Sequence, residues 1–143
     1  MISAAGAYTF GAATVGLTYS YVQFANLGAD AVAGAPAYRG SANFNNGEIN
    51  FKYQLTPALV LGAAYDYTHL NDFAGHGGAT YNQGSLGADY FVSKRTDVYL
   101  IGVYQHATGT DSSGQSAVAS INNLTPSNSN NQTTVRVGIR HKF

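Results

Sequence analysis

The chain of 143 residues has no cysteine, no tryptophan, three prolines and few charged side chains. Without cysteine there is neither a disulfide framework nor a thiolate metal site. Charged residues make up 10% of the chain, against roughly 25% in an ordinary globular protein. The formal net charge is zero, so nothing indicates a nucleic-acid partner or a polybasic membrane anchor.

Long apolar runs are also missing. No stretch approaches the ~20 consecutive apolar residues that a membrane helix needs, and the mean hydropathy is only −0.11. Glycine (17) and tyrosine (11) are abundant instead. Tyrosine suits a membrane–water interface, because its ring is apolar and its hydroxyl seeks water. Low charge without a long apolar run is typical of strands with alternating faces.

The final segment, Thr133–Phe143, shows this alternation most clearly. Successive side chains of a strand point to opposite faces. One parity is mostly apolar and ends on an aromatic residue, while the other carries three cations and a glycine. In an outer-membrane barrel the apolar parity faces lipid and the polar parity faces a wet lumen. We therefore expect this segment to be a barrel strand.

Period-2 alternation bounded by turn residues predicts about seven strands and no helix. The predicted fold class is all-β: an antiparallel up-and-down meander that is part of a transmembrane β-barrel. The predicted strands are Ser3–Phe10, Thr14–Ala25, Gly47–Leu55, Ala58–His69, Thr80–Val92, Thr96–Ala107 and Thr133–Phe143.

The sixth predicted strand is ambiguous, because two sets of apolar residues compete for its lipid side. One set is Val98, Leu100, Gly102 and Tyr104; the other is Tyr99, Ile101 and Val103. We favour the first set, since it places Asp97 and Gln105 on the polar side.

The predicted connections alternate between short and long. They are tight at 11–13, 56–57 and 93–95, and long near 27–43, 71–78 and 108–132. Outer-membrane barrels have short periplasmic turns and longer extracellular loops. This predicts that Phe143 lies at the periplasmic rim and that the three long loops lie outside the cell.

The ending VGIRHKF, the turn SKRT at Ser93–Thr96 and the run DVYLIGVYQHA after it resemble the C-terminal part of the general Gram-negative porins, the trimeric sixteen-stranded type. The resemblance implies that residues 1–143 are the C-terminal portion of such a barrel. It implies passive diffusion of small hydrophilic solutes and ions through the outer membrane, a homotrimer and no cofactor. The N-terminal half of that family has no counterpart here.

A set of ionisable residues on the polar parity is predicted to line the pore. Arg136 and Arg140, four residues apart on one strand, resemble the basic wall of the general porins. The alternative is that these cations only solvate the lumen face, paired with Asp89 or Asp66. The predicted pore-lining residues are Glu48, Lys52, Asp66, Asp89, Arg136, Arg140 and Lys142.

The C-terminal aromatic residue has a predicted role in assembly. In outer-membrane proteins, a terminal aromatic with alternating apolar residues upstream is read by the barrel-assembly machinery. The alternative is a plain interfacial aromatic of the girdle. The predicted signal consists of Phe143, His141, Ile139, Val137 and Val135.

Catalysis and metal binding are not predicted. His69, His76, His106 and His141 have no metal-ligand spacing, and QGSLG at Gln83–Gly87 is not a nucleophile elbow. The N-terminus, MISAAGAYTF, has neither a basic n-region nor a long h-region, so we do not expect it to be a signal peptide.

Two other functions remain open at this point. A small complete eight-stranded barrel with a structural or surface-binding role would need one more strand, for instance within Tyr38–Phe44. A soluble ligand-binding barrel of the lipocalin kind would enclose the apolar parity in its interior.

Overall fold

The computed structural model describes residues 1–27, 40–71, 77–111 and 114–143. They form one seven-stranded antiparallel sheet in which each strand pairs with its sequence neighbours, so the predicted all-β meander is confirmed. Within those ranges no helix is long and apolar enough to cross a bilayer. The strands are β1 (Ile2–Phe10), β2 (Ala13–Leu27), β3 (Gly40–Thr56), β4 (Leu59–Leu70), β5 (Ala79–Phe91), β6 (Thr96–Gly109) and β7 (Asn131–His141).

The connections alternate in length as predicted. At one end of the sheet, here called the turn end, the chain reverses over residues 11–12, 57–58 and 92–95. Gly11 opens the first reversal with a φ of 58°, which glycine adopts at little cost. The opposite end, the loop end, has connections at 28–39, 71–78 and 110–130. Residues 28–39 and 72–76, with His76, lie outside the described part of the chain.

Two predicted boundaries of the first long loop are wrong. Leu27 belongs to β2, and β3 begins at Gly40 rather than Gly47. The β2–β3 ladder continues toward the loop end through Gln23↔Asn43 and Phe24↔Ala42. Hence Gly40–Phe44, the described part of the segment considered for an extra strand, is continuous with β3.

The last long loop is shorter than predicted. β6 runs to Gly109 and β7 starts at Asn131, so the connection covers 110–130 instead of 108–132. β7 ends at His141, and Phe143 therefore lies beyond the last hydrogen-bonded pair.

Cross-strand register assigns the side chains to two faces. The apolar face carries Leu17, Ile49, Tyr65, Leu86, Leu100 and Val137, and the polar face carries the residues of opposite parity. In β6, Val98, Leu100 and Gly102 pair with Ile139, Val137 and Val135, which confirms the favoured parity of that strand.

The alternation inverts at the loop end. There the polar parity becomes apolar, with Phe44 opposite Leu70 and Leu70 opposite Ala79. Ala117 and Ala119 of the 110–130 connection pack over this patch, which forms the small core of the described chain. A loop therefore covers the polar-parity side of the sheet. The buried members are Ala42, Leu70, Ala79, Ala107, Ala117 and Ala119.

Candidate functional site

All Asp, Glu, Lys and Arg side chains of the seven strands lie on one face. Register determines this, since a slip of one residue would move each of them to the other face. They are Glu48, Lys52, Asp66, Asp89, Asp97, Arg136 and Arg140.

The apolar face is left uncovered. Leu86 and Val137 are each 70% exposed, Ile139 is 71% exposed, and no described segment packs over them. Soluble monomers rarely expose such a continuous apolar surface, so it marks a membrane or protein contact. The soluble-barrel alternative placed these aliphatic side chains in a closed interior, which is not their arrangement here.

Three tyrosine–asparagine hydrogen bonds lie where the apolar face ends, near the loop end of the sheet. The hydroxyls of Tyr19, Tyr65 and Tyr104 donate to the side-chain oxygens of Asn45, Asn82 and Asn131, at 2.9, 2.7 and 2.7 Å. Each bond joins neighbouring strands near the loop end. An aromatic ring with an amide on its loop-end side suits the boundary between hydrocarbon and water.

A three-residue ion cluster lies on the polar face near the turn end. Arg140 Nε donates to Asp97 Oδ1 at 2.9 Å, and its Nη2 lies 2.8 Å from Asp97 Oδ2. The same Nη2 donates to Asp89 Oδ2 at 3.3 Å. Asp97 is nearly buried, at 5% side-chain exposure, whereas Arg140 is 53% exposed. Arg140 is thus paired with two carboxylates, as the pairing alternative for Asp89 anticipated, and the cluster carries a formal charge of −1.

Arg136 differs from Arg140 in its surroundings. It shares a cross-strand row with Ile101, Gly87, Gly62 and Lys52 and makes no ion pair with any described residue. The two glycines leave the wall between Lys52 and Ile101 without side chains, and all of these residues line one open cavity. The charge of Arg136 is therefore not paired with any described carboxylate.

A second row carries acid and amide groups across the sheet. Glu48 lies opposite Asp66, Asp66 opposite Gln83, and Gln83 opposite Gln105. Asn50 Nδ2 donates to Glu48 Oε1 at 2.7 Å, and Gln105 Nε2 donates to Gln83 Oε1 at 3.2 Å. This row holds two anions on β3 and β4, well separated from the cations of β7.

The remaining predicted residues lie at the edges of this arrangement. Lys142 is past the end of β7, where its backbone N–H donates to the Arg95 carbonyl at 2.9 Å. The rings of Phe143 and His141 meet edge to face at 4.9 Å. His141 Nδ1 also pairs with Thr96 Oγ1 at 2.8 Å. Among the described residues no cluster of His, Asp and Glu is suited to a metal ion.

Sequence reasoning placed Asp97 on the polar side but did not include it among the pore-lining residues, although it holds Arg140. It also missed Gln105 and Gln132, whose amides contact the 110–130 connection. Their parity was available in the sequence; the contact was not, because it depends on how the long loop folds back.

An uncovered apolar face, a polar face with all the strand charges and alternating short and long reversals together define the wall of an outer-membrane β-barrel. A family model described as Gram-negative porin matches residues 1–112, and the chain belongs to that family. The match includes Ser93–Thr96 and the run after it, whereas Thr133–Phe143 lies beyond it. This family consists of channels rather than enzymes and is located in the outer membrane. No individual curated protein matches the chain.

Proposed function

We propose that these seven strands form part of the wall of a water-filled channel, through which small hydrophilic solutes and ions diffuse passively. The observation that carries the proposal is the segregation of all seven strand charges onto one face. Water solvates that face, while acyl chains of the outer membrane cover the other. No cofactor is needed.

The two edge strands require partners. Backbone groups on the free sides of β1 and β7 are unpaired in the described sheet, and an open edge in lipid costs several kcal/mol per unsatisfied group. We propose that further strands close the barrel. In keeping with the resemblance to the general porins, we also propose that the barrels assemble as homotrimers.

Planar-bilayer recording of the complete membrane-inserted protein tests the channel. Large, steady, ohmic steps are expected, because the polar face provides a permanently hydrated path. A folded, membrane-inserted barrel that gives no steps would overturn the proposal and favour a structural or surface-binding role.

A further inference from the structure

We propose that residues 114–130, here called the inner loop, form an uncharged constriction at the loop-end mouth of the channel. The inference rests on the proposed channel function. It concerns which solutes enter, and it assigns that selection to size rather than to charge.

Hydrogen bonds hold the inner loop against the polar face. The backbone N–H of Ser120 donates to Gln105 Oε1 and that of Ile121 donates to Gln132 Oε1, each at 2.6 Å. Gln132 Nε2 in turn donates to the Thr125 carbonyl at 2.8 Å. Gln105 and Gln132 are direct partners in the β6–β7 ladder, on the face that bears the charges. The loop therefore lies on the proposed channel side of the wall.

Apolar packing extends this contact across the sheet. Ala117 and Ala119 are 3% and 0% exposed, and they cluster with Ala107 of β6 and Ala42 of β3. Neighbouring strands lie about 4.8 Å apart, so the apolar cluster to which the loop belongs extends over about 14 Å of the polar-parity side, from β3 to β6. Alanines on both sides let the backbone approach closely, which fixes the loop against the wall.

The inner loop also has hydrogen bonds of its own. Ala119 N–H donates to the Ser129 carbonyl at 2.9 Å, and Ser127 N–H donates to the Ala119 carbonyl at 2.8 Å. At its start, Ala117 N–H donates to the Gly109 carbonyl at 3.0 Å. A segment paired both internally and to the wall keeps a defined shape, as a size filter must.

The composition of the inner loop determines what it selects. Residues 114–130 contain no Asp, Glu, Lys, Arg or His, and the exposed side chains are largely Ser, Asn and Thr. Such a surface offers hydrogen bonds but no net field. Discrimination by charge is left to the rows that contain Glu48, Asp66 and Arg136, closer to the turn end.

The test compares glutamine variants in the complete membrane-inserted protein. Gln105→Ala combined with Gln132→Ala removes both acceptors, and Gln115→Ala is the matched control, because its exposed side chain makes no described contact. Two quantities are measured: hydrogen exchange at the Ser120 and Ile121 amides, and the largest neutral polyethylene glycol that enters the pore from the loop-end side.

The double variant is expected to exchange these amides about tenfold faster and to admit larger polymers, whereas the control behaves as the wild type. A second pair, Ala119→Gln against Val118→Gln, repeats the comparison without touching the glutamines, because Ala119 is buried and Val118 is 37% exposed.

If all variants show conductance steps and admit polyethylene glycol of the same maximum size, the constriction is overturned while the channel function is retained. Rapid exchange of both amides in the wild type would also overturn it. Absence of steps in the wild type would overturn the proposed function, and the constriction with it.

Discussion

Arg140 and Asp97 lie directly opposite each other on β7 and β6, joined by contacts of 2.9 and 2.8 Å. Asp89, diagonal to Asp97 on β5, adds a third contact to the same guanidinium. Four residues away, Arg136 faces the same side with no such partners among the described residues. Two cations that look equivalent in the sequence thus differ in their ionic partners.

Neutralising the two arginines should therefore have unequal effects on ion selectivity. An unscreened unit charge changes the energy of an ion about 10 Å away by about 0.4 kcal/mol in water. Because the energies of a cation and an anion change in opposite directions, Arg136→Gln is expected to shift the cation-to-anion permeability ratio by up to about fourfold toward cations. Arg140→Gln should give a smaller shift, because two adjacent carboxylates left without the guanidinium favour uptake of a proton, which offsets part of the lost positive charge.

Reversal potentials across a salt gradient measure both ratios. Arg95→Gln is the control, since it lies in the exposed turn outside the polar face. A larger shift for Arg140→Gln than for Arg136→Gln would contradict this compensation by Asp97 and Asp89.

An arginine on the apolar face should cost far more stability than one on the polar face. Leu86 and Ser85 are neighbours at the middle of β5 and face opposite sides. We expect Leu86→Arg to lower the free energy of unfolding from lipid vesicles by about 2–4 kcal/mol. Ser85→Arg should change it little, because its side chain stays in water. Comparable losses in the two variants would contradict the assignment of the faces.

The end of β6 should not tolerate a side chain at Gly109. Its φ is 94°, and an added Cβ would meet the Gly78 carbonyl group and Ala79 Cα. We expect Gly109→Ala to lower the free energy of unfolding by about 1–3 kcal/mol. Gly102→Ala, in the same strand with open space around it, is the control. Denaturant titration in detergent micelles measures both, and equal effects would show that Gly109 is not strained.

The side-chain parity of six strands could be predicted from the sequence. In segments such as Ile49–Tyr53 or Val135–Ile139, apolar side chains occupy one face, and polar side chains or glycine occupy the other. Even the parity of β6 could be predicted from the positions of Asp97 and Gln105, and the register of β6 with β7 confirms it. Period-2 alternation is a local signal, and it is sufficient wherever one face meets lipid.

The loop end could not be predicted in the same way. Phe44 and Ala42 are apolar on the polar parity, while Asn43 and Asn45 take the other side. This inversion hides the first seven residues of β3 from a search for the membrane pattern. The inner loop packs over the polar-parity side there, and the asparagines on the other side indicate contact with water rather than lipid. The positions of Ala117 and Ala119 depend on that long-range contact.

Deleting Phe143 should affect assembly more than stability. Its ring lies beyond β7, contacts only the His141 ring among the described aromatic pairs and is fully exposed, so its loss removes little packing. We expect the deletion to reduce the amount of folded protein in outer membranes several-fold, through poorer recognition by the assembly machinery. The midpoint of unfolding after refolding in detergent should stay nearly constant. Phe143→Tyr, which keeps the aromatic ring, is the control, and parallel losses in both assays would reduce Phe143 to an interfacial aromatic.

The most direct test of the two faces uses adjacent positions of β7. Because the chain has no cysteine, Arg136→Cys and Val137→Cys each introduce a unique thiol into the protein folded in vesicles. We predict that a charged, water-soluble thiol reagent modifies Cys at 136, and that an environment-sensitive fluorophore at 137 is blue-shifted and quenched by brominated acyl chains. The reverse pattern, with 137 accessible to water and 136 quenched by lipid, would contradict the account.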